Sequence, residues 1–314
     1  MFENFLFSLN TVMPLYLLIF AGYALKRLGF LTEGFISVGN RFVFYILLPT
    51  TLFLSVYSSD LGEIADWQFA SFAIGATVVS FAAAWVVSAI FIKEKKVLGV
   101  VVQGSFRSNT VFVGIPLMYN LAGTAGVARF AFIVTLVMPL YNVCSILVLS
   151  ACSGSDERIK FKTVAFTIVK NPFIIAIMLG ILITLLNINL PMALSRSLTD
   201  ISGMATPMAL ICIGSGISFL GFDKKFKYAV IAAIIKVVAM PAVFTLAAYA
   251  VGFRGIDLAA FMVLGGVPSA VAGYVMAVQM GGDGYIARNI ILVSTLLSSV
   301  TLTIFIYILR VMGV

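Results

Sequence analysis

A charged, amide-bearing, proline-broken run lies inside a long apolar segment of this chain: Arg107 to Tyr119, reading RSNTVFVGIPLMY. Hydrocarbon tolerates irregular backbone only where protein or a water-filled cavity covers it. A proline within a helix removes a donor and disrupts the ladder. The run therefore predicts an interrupted helix beside an internal cavity. Leu264 to Tyr274, LGGVPSAVAGY, repeats the design at the corresponding place in the second half of the chain. Paired interruptions of this kind are the sequence mark of a binding site held at mid-membrane depth.

The surroundings of these runs are those of a polytopic membrane protein. Of 314 residues, 62% are hydrophobic and 10% charged, and the mean hydropathy is +1.14, well outside the range of soluble domains. Ten spans are read at 5–25, 37–58, 67–92, 97–120, 127–151, 164–186, 199–220, 227–251, 257–280 and 287–311, from hydropathy. The first is too long for a signal-peptide core, and no Lys or Arg precedes it, so no cleaved leader is expected. The net charge of +8 does not indicate nucleic acid, because the bases gather in loops on one side, as orientation in a bilayer requires.

Alternate loops carry Lys26, Arg27 and Arg41; Lys93, Lys95 and Lys96; Arg158, Lys160, Lys162 and Lys170; Lys224, Lys225 and Lys227; and Arg288. The opposite side carries only Arg129, Arg196, Arg254 and Arg310, with Asp60, Glu63 and Asp66 after the second span. The first set is expected in the cytoplasm and both termini outside an inner or plasma membrane. The most polar connection, 152–163, divides the chain into halves 1–151 and 164–314 with five spans each. An odd number reverses the sense of the second half, as in an inverted-topology repeat. Pro49 in the second span then corresponds to Pro207 in the seventh, and the broken fourth span to the broken ninth.

Few residues in the spans can carry chemistry. Arg107 and Lys236 are the deep bases, each about ten residues from a basic loop, hence about 15 Å in and near the midplane. No Asp or Glu lies deep in a span, so neither base has an evident carboxylate partner. They either brace the fold by bonding carbonyls freed at the breaks, or offset the charge of an anionic ligand. Asn109 and Thr110 supply donors and acceptors beside the first break, and Asn109 must face protein, water or ligand. Ser269, after Pro268, either plays the matching part or bonds back to its own helix. Half-helix N-termini near Gly114, Ile115 and Pro116, and near Gly266, Val267 and Pro268, would present unpaired N–H groups. Gly265 and Gly273 permit close backbone crossing, and Gln103, Asn142, Tyr274 and Gln279 are weaker candidates.

Other elements read as structural. The serines and threonines of the last span, among them Ser294 and Ser298, suit helix packing. Gly214-Ser215-Gly216 lacks the lysine of a nucleotide-binding loop, and helix packing is its expected role. Cys144, Cys152 and Cys212 read as small packing residues. There is no histidine, and no metal set, nucleophile–base pair or cofactor motif appears, so neither an enzyme nor a cofactor is expected.

The residues resemble a known family. Val12-Met13-Pro14-Leu15-Tyr16, Asn40-Arg41-Phe42-Val43 before Pro49, Asn109-Thr110 through Gly114-Ile115-Pro116-Leu117, Lys236 with Pro241-Ala242-Val243, Val251-Gly252-Phe253-Arg254-Gly255 and Pro268 are similar in order and spacing to the auxin efflux carrier family. The short 152–163 connection places the chain with its prokaryotic branch, in the bile, arsenite and riboflavin transporter superfamily. The resemblance implies an all-α membrane fold of ten helices in two inverted five-helix repeats. Spans one, two, six and seven would form a dimerising scaffold, and spans three to five and eight to ten a transport domain. Broken spans four and nine would cross at Pro116 and Pro268 beside a site for a small organic anion, auxin-like or dicarboxylic, with Asn109 at the family's ligand-binding asparagine. Transport would be elevator-like. The plant members' acid and base on span three fall at Phe72 and Ala76 here. A sodium- or proton-coupled symporter and a ligand sensor that moves nothing remain the alternatives.

Overall fold

The computed structural model describes residues 2–57, 66–153, 172–186, 188–216 and 225–313. Within them the chain forms helices α1 (Phe2–Arg27), α2 (Glu33–Phe42), α3 (Leu48–Tyr57), α4 (Trp67–Phe91), α5 (Lys95–Phe106), α6 (Ile115–Ser153) and α7 (Pro172–Leu185). There follow α8 (Met192–Gly203), α9 (Ala205–Ser215), α10 (Phe226–Ile234), α11 (Met240–Val251), α12 (Gly255–Gly266), α13 (Val271–Gln279) and α14 (Gly284–Val311). Seven stretches among the described residues are long and apolar enough to cross a membrane, and Ile175–Leu185 and α12 are shorter apolar helices. The chain is thus an all-helical, multi-pass membrane protein. The connection 152–163 lies largely outside the described residues, as do Asp60, Glu63, Arg158, Lys160, Lys162, Lys170 and Lys224.

Proline sets the local geometry of the spans. Three wide π-helical turns occur, Val43–Leu47, Thr110–Gly114 and Ile235–Ala239. Each is followed by a helix with proline at its second residue: Pro49, Pro116 and Pro241. The proline ring cannot donate and crowds the carbonyl one turn back, so the chain widens there. A different break divides the long α6, where Ala122 and Gly123 leave the helical region and Gly123 takes φ 60°, a conformation suited to glycine.

Two features depart from the hydropathy reading. Helix α8 starts at Met192, ahead of the expected span at 199, because 192–203 is a polar turn-rich helix carrying Arg196 and Asp200 with no buried residue. Hydropathy cannot register a helix that keeps to the surface. The fourth expected span, 97–120, is interrupted as expected, but the break falls at 107–109, and Gly114, Ile115 and Pro116 lie within the helix that resumes after it.

Glycines let the helices touch backbone to backbone. A Cβ at Gly22 would fall 2.1 Å from the Ile211 carbonyl oxygen, and one at Gly214 would fall 1.8 Å from that of Ile19, so α1 and α9 cross in direct contact. Gly180 of α7 lies against the Phe53 carbonyl of α3. The expected packing role of Gly214 is met. Two cysteines also fill such contacts, Cys152 beside Gly99 and Cys212 beside Gly39, and all three cysteines are buried and free.

Ion clusters tie helix starts together at both ends of the bundle. Arg129 on α6 donates to both oxygens of Asp257 at 2.6 and 2.8 Å and to Asp66 at 3.1 Å, with its guanidinium over the Phe69 ring. This joins the start of α4, the start of α12 and the second arm of α6. Burial raises the Asp66 carboxyl, but hydrogen bonds from the Phe69 N–H, Arg129 and the Gln68 N–H outweigh it, leaving the group below the usual range. At the other end Lys225 donates to Glu94 at 2.7 Å and Asp283 at 3.2 Å, joining the starts of α5, α10 and α14. Those two bonds raise the Lys225 ammonium above its ordinary value.

The glycine crossing makes opposite predictions for one substitution at two sites. Gly214→Ala should lower stability by about 1–3 kcal/mol, the usual cost of overpacking. Gly75→Ala, whose Cβ meets nothing within 4 Å, should be neutral or gain up to about 1 kcal/mol of helix propensity. Thermal unfolding of the two variants in detergent checks the contrast.

Candidate functional site

Helix α5 stops at Phe106, where Arg107 turns extended at φ −81°, ψ 111°. Helix α12 stops at Gly266, where Val267 turns extended at φ −66°, ψ 149°. The two extended stretches meet in an antiparallel bridge between Ser108 and Ser269. The Asn109 N–H donates to the Pro268 carbonyl at 2.8 Å, and the Ala270 N–H to the Arg107 carbonyl at 3.2 Å. A helix end leaves orphan carbonyls, and two are taken by the paired serines. The Ser108 hydroxyl donates to the Leu264 carbonyl, and the Ser269 hydroxyl donates to the Gly104 carbonyl. Each break thus closes the end of the other helix. The Ser269 N–H donates to the Ser294 hydroxyl at 3.1 Å, so this serine of α14 does more than pack.

Glycines and the π turns fit this junction into the bundle. A Cβ on Gly265 would lie 2.9 Å from Pro241 Cα, and one on Gly114 would lie 2.7 Å from the Phe130 ring. Their absence lets α11 reach α12 and lets the second arm of α6 reach the Thr110–Gly114 turn. Gly266 is similarly close to Leu302. Asn109 caps the helix that resumes after the break, its side-chain oxygen accepting from the Phe112 N–H at 3.4 Å. Thr110, Ile115, Val267 and Ser269 are buried around it.

Both deep bases converge here. Lys236 is fully buried in the Ile235–Ala239 turn and donates to the Gly265 carbonyl. Arg107 is 6% exposed. Its guanidinium donates to Asn142 Oδ1 at 2.8 Å, to the Ser145 hydroxyl at 3.1 Å, to Met276 Sδ at 3.2 Å and to the Tyr141 carbonyl at 3.4 Å. Every one of these partners is neutral. Among the described residues neither base makes an ion pair, while the pairs that do form involve Lys26, Arg129 and Lys225. Bracing therefore accounts for where the two side chains point, and it leaves two buried bases without carboxylate partners among the described residues.

The expected site residues come together at the two breaks. Asn142 and Met276 join them through Arg107. Tyr274 lies further along, accepting from Arg288 at 3.4 Å, and the Gln279 side chain lies outside the described residues. Ser108, Ser145 and Ser294 were not singled out by the sequence reading. Ser108 meets Ser269 only through the antiparallel bridge, a pairing that no alignment of the two runs by their prolines or helix ends reveals. Phe72 and Ala76 line an apolar groove of about 660 Å³ between α4, the Ile235–Ala239 turn and α11, and Phe72 packs edge-on against Phe253 and Phe261.

Comparison with known proteins places this architecture. Residues 7–156 and 158–306 match the family described as membrane transport protein. The chain is 26% identical over 302 residues to an uncharacterized transporter of Methanothermobacter thermautotrophicus, covering 95% of this chain and 97% of the relative. It is 25% identical over 307 residues to a Rhizobium meliloti protein provisionally named a malonate transporter, covering 95% of each.

The reciprocal serine caps can be tested by stability. Ser108→Ala or Ser269→Ala strips a buried carbonyl of its donor and should cost about 1–3 kcal/mol each. Ser88→Ala should cost nothing, because that buried hydroxyl has no hydrogen-bond partner. Equal effects of all three in detergent unfolding would remove the capping role.

Proposed function

The chain belongs to the membrane transport protein family, the auxin efflux carriers, whose members are transporters and not enzymes, and from that premise we propose a secondary carrier of small organic anions. The carrying observation is the pair of buried bases, Arg107 and Lys236, converging without carboxylates on two interrupted helices. Asn109, Thr110 and Ser269 supply directional contacts, and the bases offset the anion's charge; the expected helix-end amides are not at Gly114, Ile115 and Pro116, which lie within the resumed helix with the Gly114 and Ile115 N–H groups bonded, nor at Gly266, Val267 and Pro268, which form the carbonyl end of α12. The relative provisionally named for malonate supports an acid as substrate.

The proposed architecture is ten spans in two inverted repeats, 1–151 and 164–314, with α5–α6 and α12–α13 as the crossing pair. Three correspondences support it. The breaks pair as equals through Ser108 and Ser269. The α1–α9 contact has a counterpart in α3–α7, as exchange of spans one and two with six and seven requires. The Asp66–Arg129–Asp257 and Lys225–Glu94–Asp283 clusters occupy exchangeable helix starts. On this reading spans three to five and eight to ten move as one body past a scaffold of spans one, two, six and seven. A homodimer through that scaffold, cytoplasmic basic loops and external termini complete the proposal. They rest on the family resemblance and the charge bias.

A sodium symporter fits less well. The carbonyls of Gly104, Leu264 and Gly265, which could ligate a cation, lie beside the basic Lys236, and no Asp or Glu is among the buried polar residues to balance a bound cation.

In proteoliposomes, malonate counterflow should be saturable and independent of sodium. Asn109→Ala should reduce it at least tenfold, and Lys236→Met and Arg107→Met should weaken malonate affinity. Binding without flux in the wild-type chain would mark a sensor instead.

A further inference from the structure

Away from the junction, the apolar groove of about 660 Å³ between α4 and the helix formed by the Ile235–Ala239 turn and α11 is a long open trough. Small residues open it: Gly75, Ala76, Ala83 and Ala84 on one side, Ala239 and Ala247 on the other. They recur along one face of each helix, where larger side chains would have closed the gap. A Cβ on Gly75 would meet nothing within 4 Å. The α4 wall extends from Gln68 to Val87, about 28 Å at the helical rise, and the hydrocarbon core of a bilayer is about 30 Å thick. The trough is therefore as long as the membrane interior. Its serines, Ser71 and Ser80, donate to carbonyls of their own helix, and no charged residue lines it.

The two ends of the trough differ. Near Gln68 it closes on packed rings, with Phe72 edge-on to Phe253 and Phe261, beside the Asp66–Arg129–Asp257 cluster. Arg254 at that end is turned back on α11, where it donates to the Tyr249 and Phe253 carbonyls at 2.7 Å each and lies over the Tyr249 ring. The other end, at Val87 and Ile235, stands below lysines. Lys93 follows Val87 by six residues and Lys227 precedes Ile235 by eight, and both are exposed. Neither forms an ion pair among the described residues, because the acids of these helix starts, Glu94 and Asp283, are held by Lys225. The Lys225–Glu94 bond also draws the segments carrying Lys93 and Lys227 together. Lys95 and Lys96 are exposed next to Lys93. A trough suited to hydrocarbon thus opens toward a patch of positive charge.

We propose that the trough binds one anionic phospholipid, its acyl tail laid between α4 and α11 and its phosphate held by Lys93 and Lys227. A neutral lipid would use the apolar walls and leave the lysines unused, whereas basic residues at a membrane surface attract anionic headgroups. Burial of the tail supplies the non-directional part of the binding, and the lysines supply the choice of headgroup. The site is separate from the junction of the two breaks and does not depend on which substrate the chain carries. Its wall nevertheless contains Ile235 and Ala239, the two ends of the turn that holds the buried Lys236. A bound tail packs against that turn.

The test is thermal unfolding of the full-length protein, stripped of lipid in detergent, with added phosphatidylglycerol, phosphatidylcholine of the same acyl chains, or glycerol 3-phosphate. A ligand of the folded chain raises its unfolding temperature. Phosphatidylglycerol should give at least twice the rise given by phosphatidylcholine, and glycerol 3-phosphate, which has no tail, should give none. The double variant Lys93→Gln with Lys227→Gln changes only exposed side chains. Without lipid it should unfold at the wild-type temperature, and with lipid it should lose the preference for phosphatidylglycerol. Gly75→Phe places a ring in the trough and should shrink the response to phosphatidylglycerol at least twofold; should it fail to fold, the double lysine variant decides. Equal responses to the two lipids in the wild-type chain, or a preference that survives the double variant, overturn the proposal in favour of ordinary bilayer lipid. A response to glycerol 3-phosphate as large as that to phosphatidylglycerol overturns the role of the trough. A Gly75→Phe variant that turns a dimer into a monomer and leaves the lipid response intact assigns the trough to a second copy of the chain and also overturns it.

Discussion

The structure depends on the backbone pairing of 107–109 with 268–270. Each interrupted helix exposes polar backbone at a depth where lipid can satisfy none of it, at several kcal/mol per group. The two breaks resolve the problem jointly. Two backbone hydrogen bonds join them, and each serine closes a carbonyl at the end of the opposite helix. Each break supplies hydrogen-bond partners to the other, so residues distant in sequence form one unit. The glycines follow from that demand. Gly265 lets α12 lie against the backbone of Pro241, and that approach brings the Lys236 ammonium to the Gly265 carbonyl.

The same junction fixes the electrostatics. With the Gly104, Leu264 and Gly265 carbonyls engaged by Ser269, Ser108 and Lys236, the junction holds two bases, Arg107 and Lys236, with no carboxylate partner among the described residues. The acids lie elsewhere. Asp66 and Asp257 surround Arg129 at one end, while Glu94 and Asp283 hold Lys225 at the other. There they staple helix starts, and partial exposure spares them the full desolvation cost. The chain thus separates ion-paired clusters at the ends from two buried bases, Arg107 and Lys236, that have no carboxylate partner among the described residues.

Much of the centre was legible in the sequence, because charge and proline inside an apolar run violate the rules of a lipid-facing helix. Arg107, Asn109, Pro116, Lys236 and Pro268 announced themselves in that way. The π turns were not legible: each begins six residues before a proline, but Pro14, Pro139 and Pro207 sit in helices with no such turn before them. What the sequence did not disclose depends on partners far along the chain. Ser108 looks like any buried serine until Ser269 is placed opposite it. Gly22 and Gly214 look like ordinary small residues until α1 and α9 cross. Helix α8 escaped because a polar surface helix has no apolar run to detect.

Why the proposed carrier would tolerate two bases without carboxylate partners at its centre follows from what a carrier must do. A site that satisfied itself with its own carboxylate would hold no exchangeable anion. A site open to bulk water would bind with little discrimination, because water competes for every donor. Donors fixed by bonds to neutral groups, as Arg107 is to Asn142, Ser145 and Tyr141, avoid both outcomes. Their orientation is fixed by bracing while their charge stays available, so binding does not have to meet the cost of organising them. On the proposed function the bracing and ligand-binding readings of Arg107 are two parts of one arrangement: the neutral partners aim the side chain, and a substrate carboxylate would be its counterion.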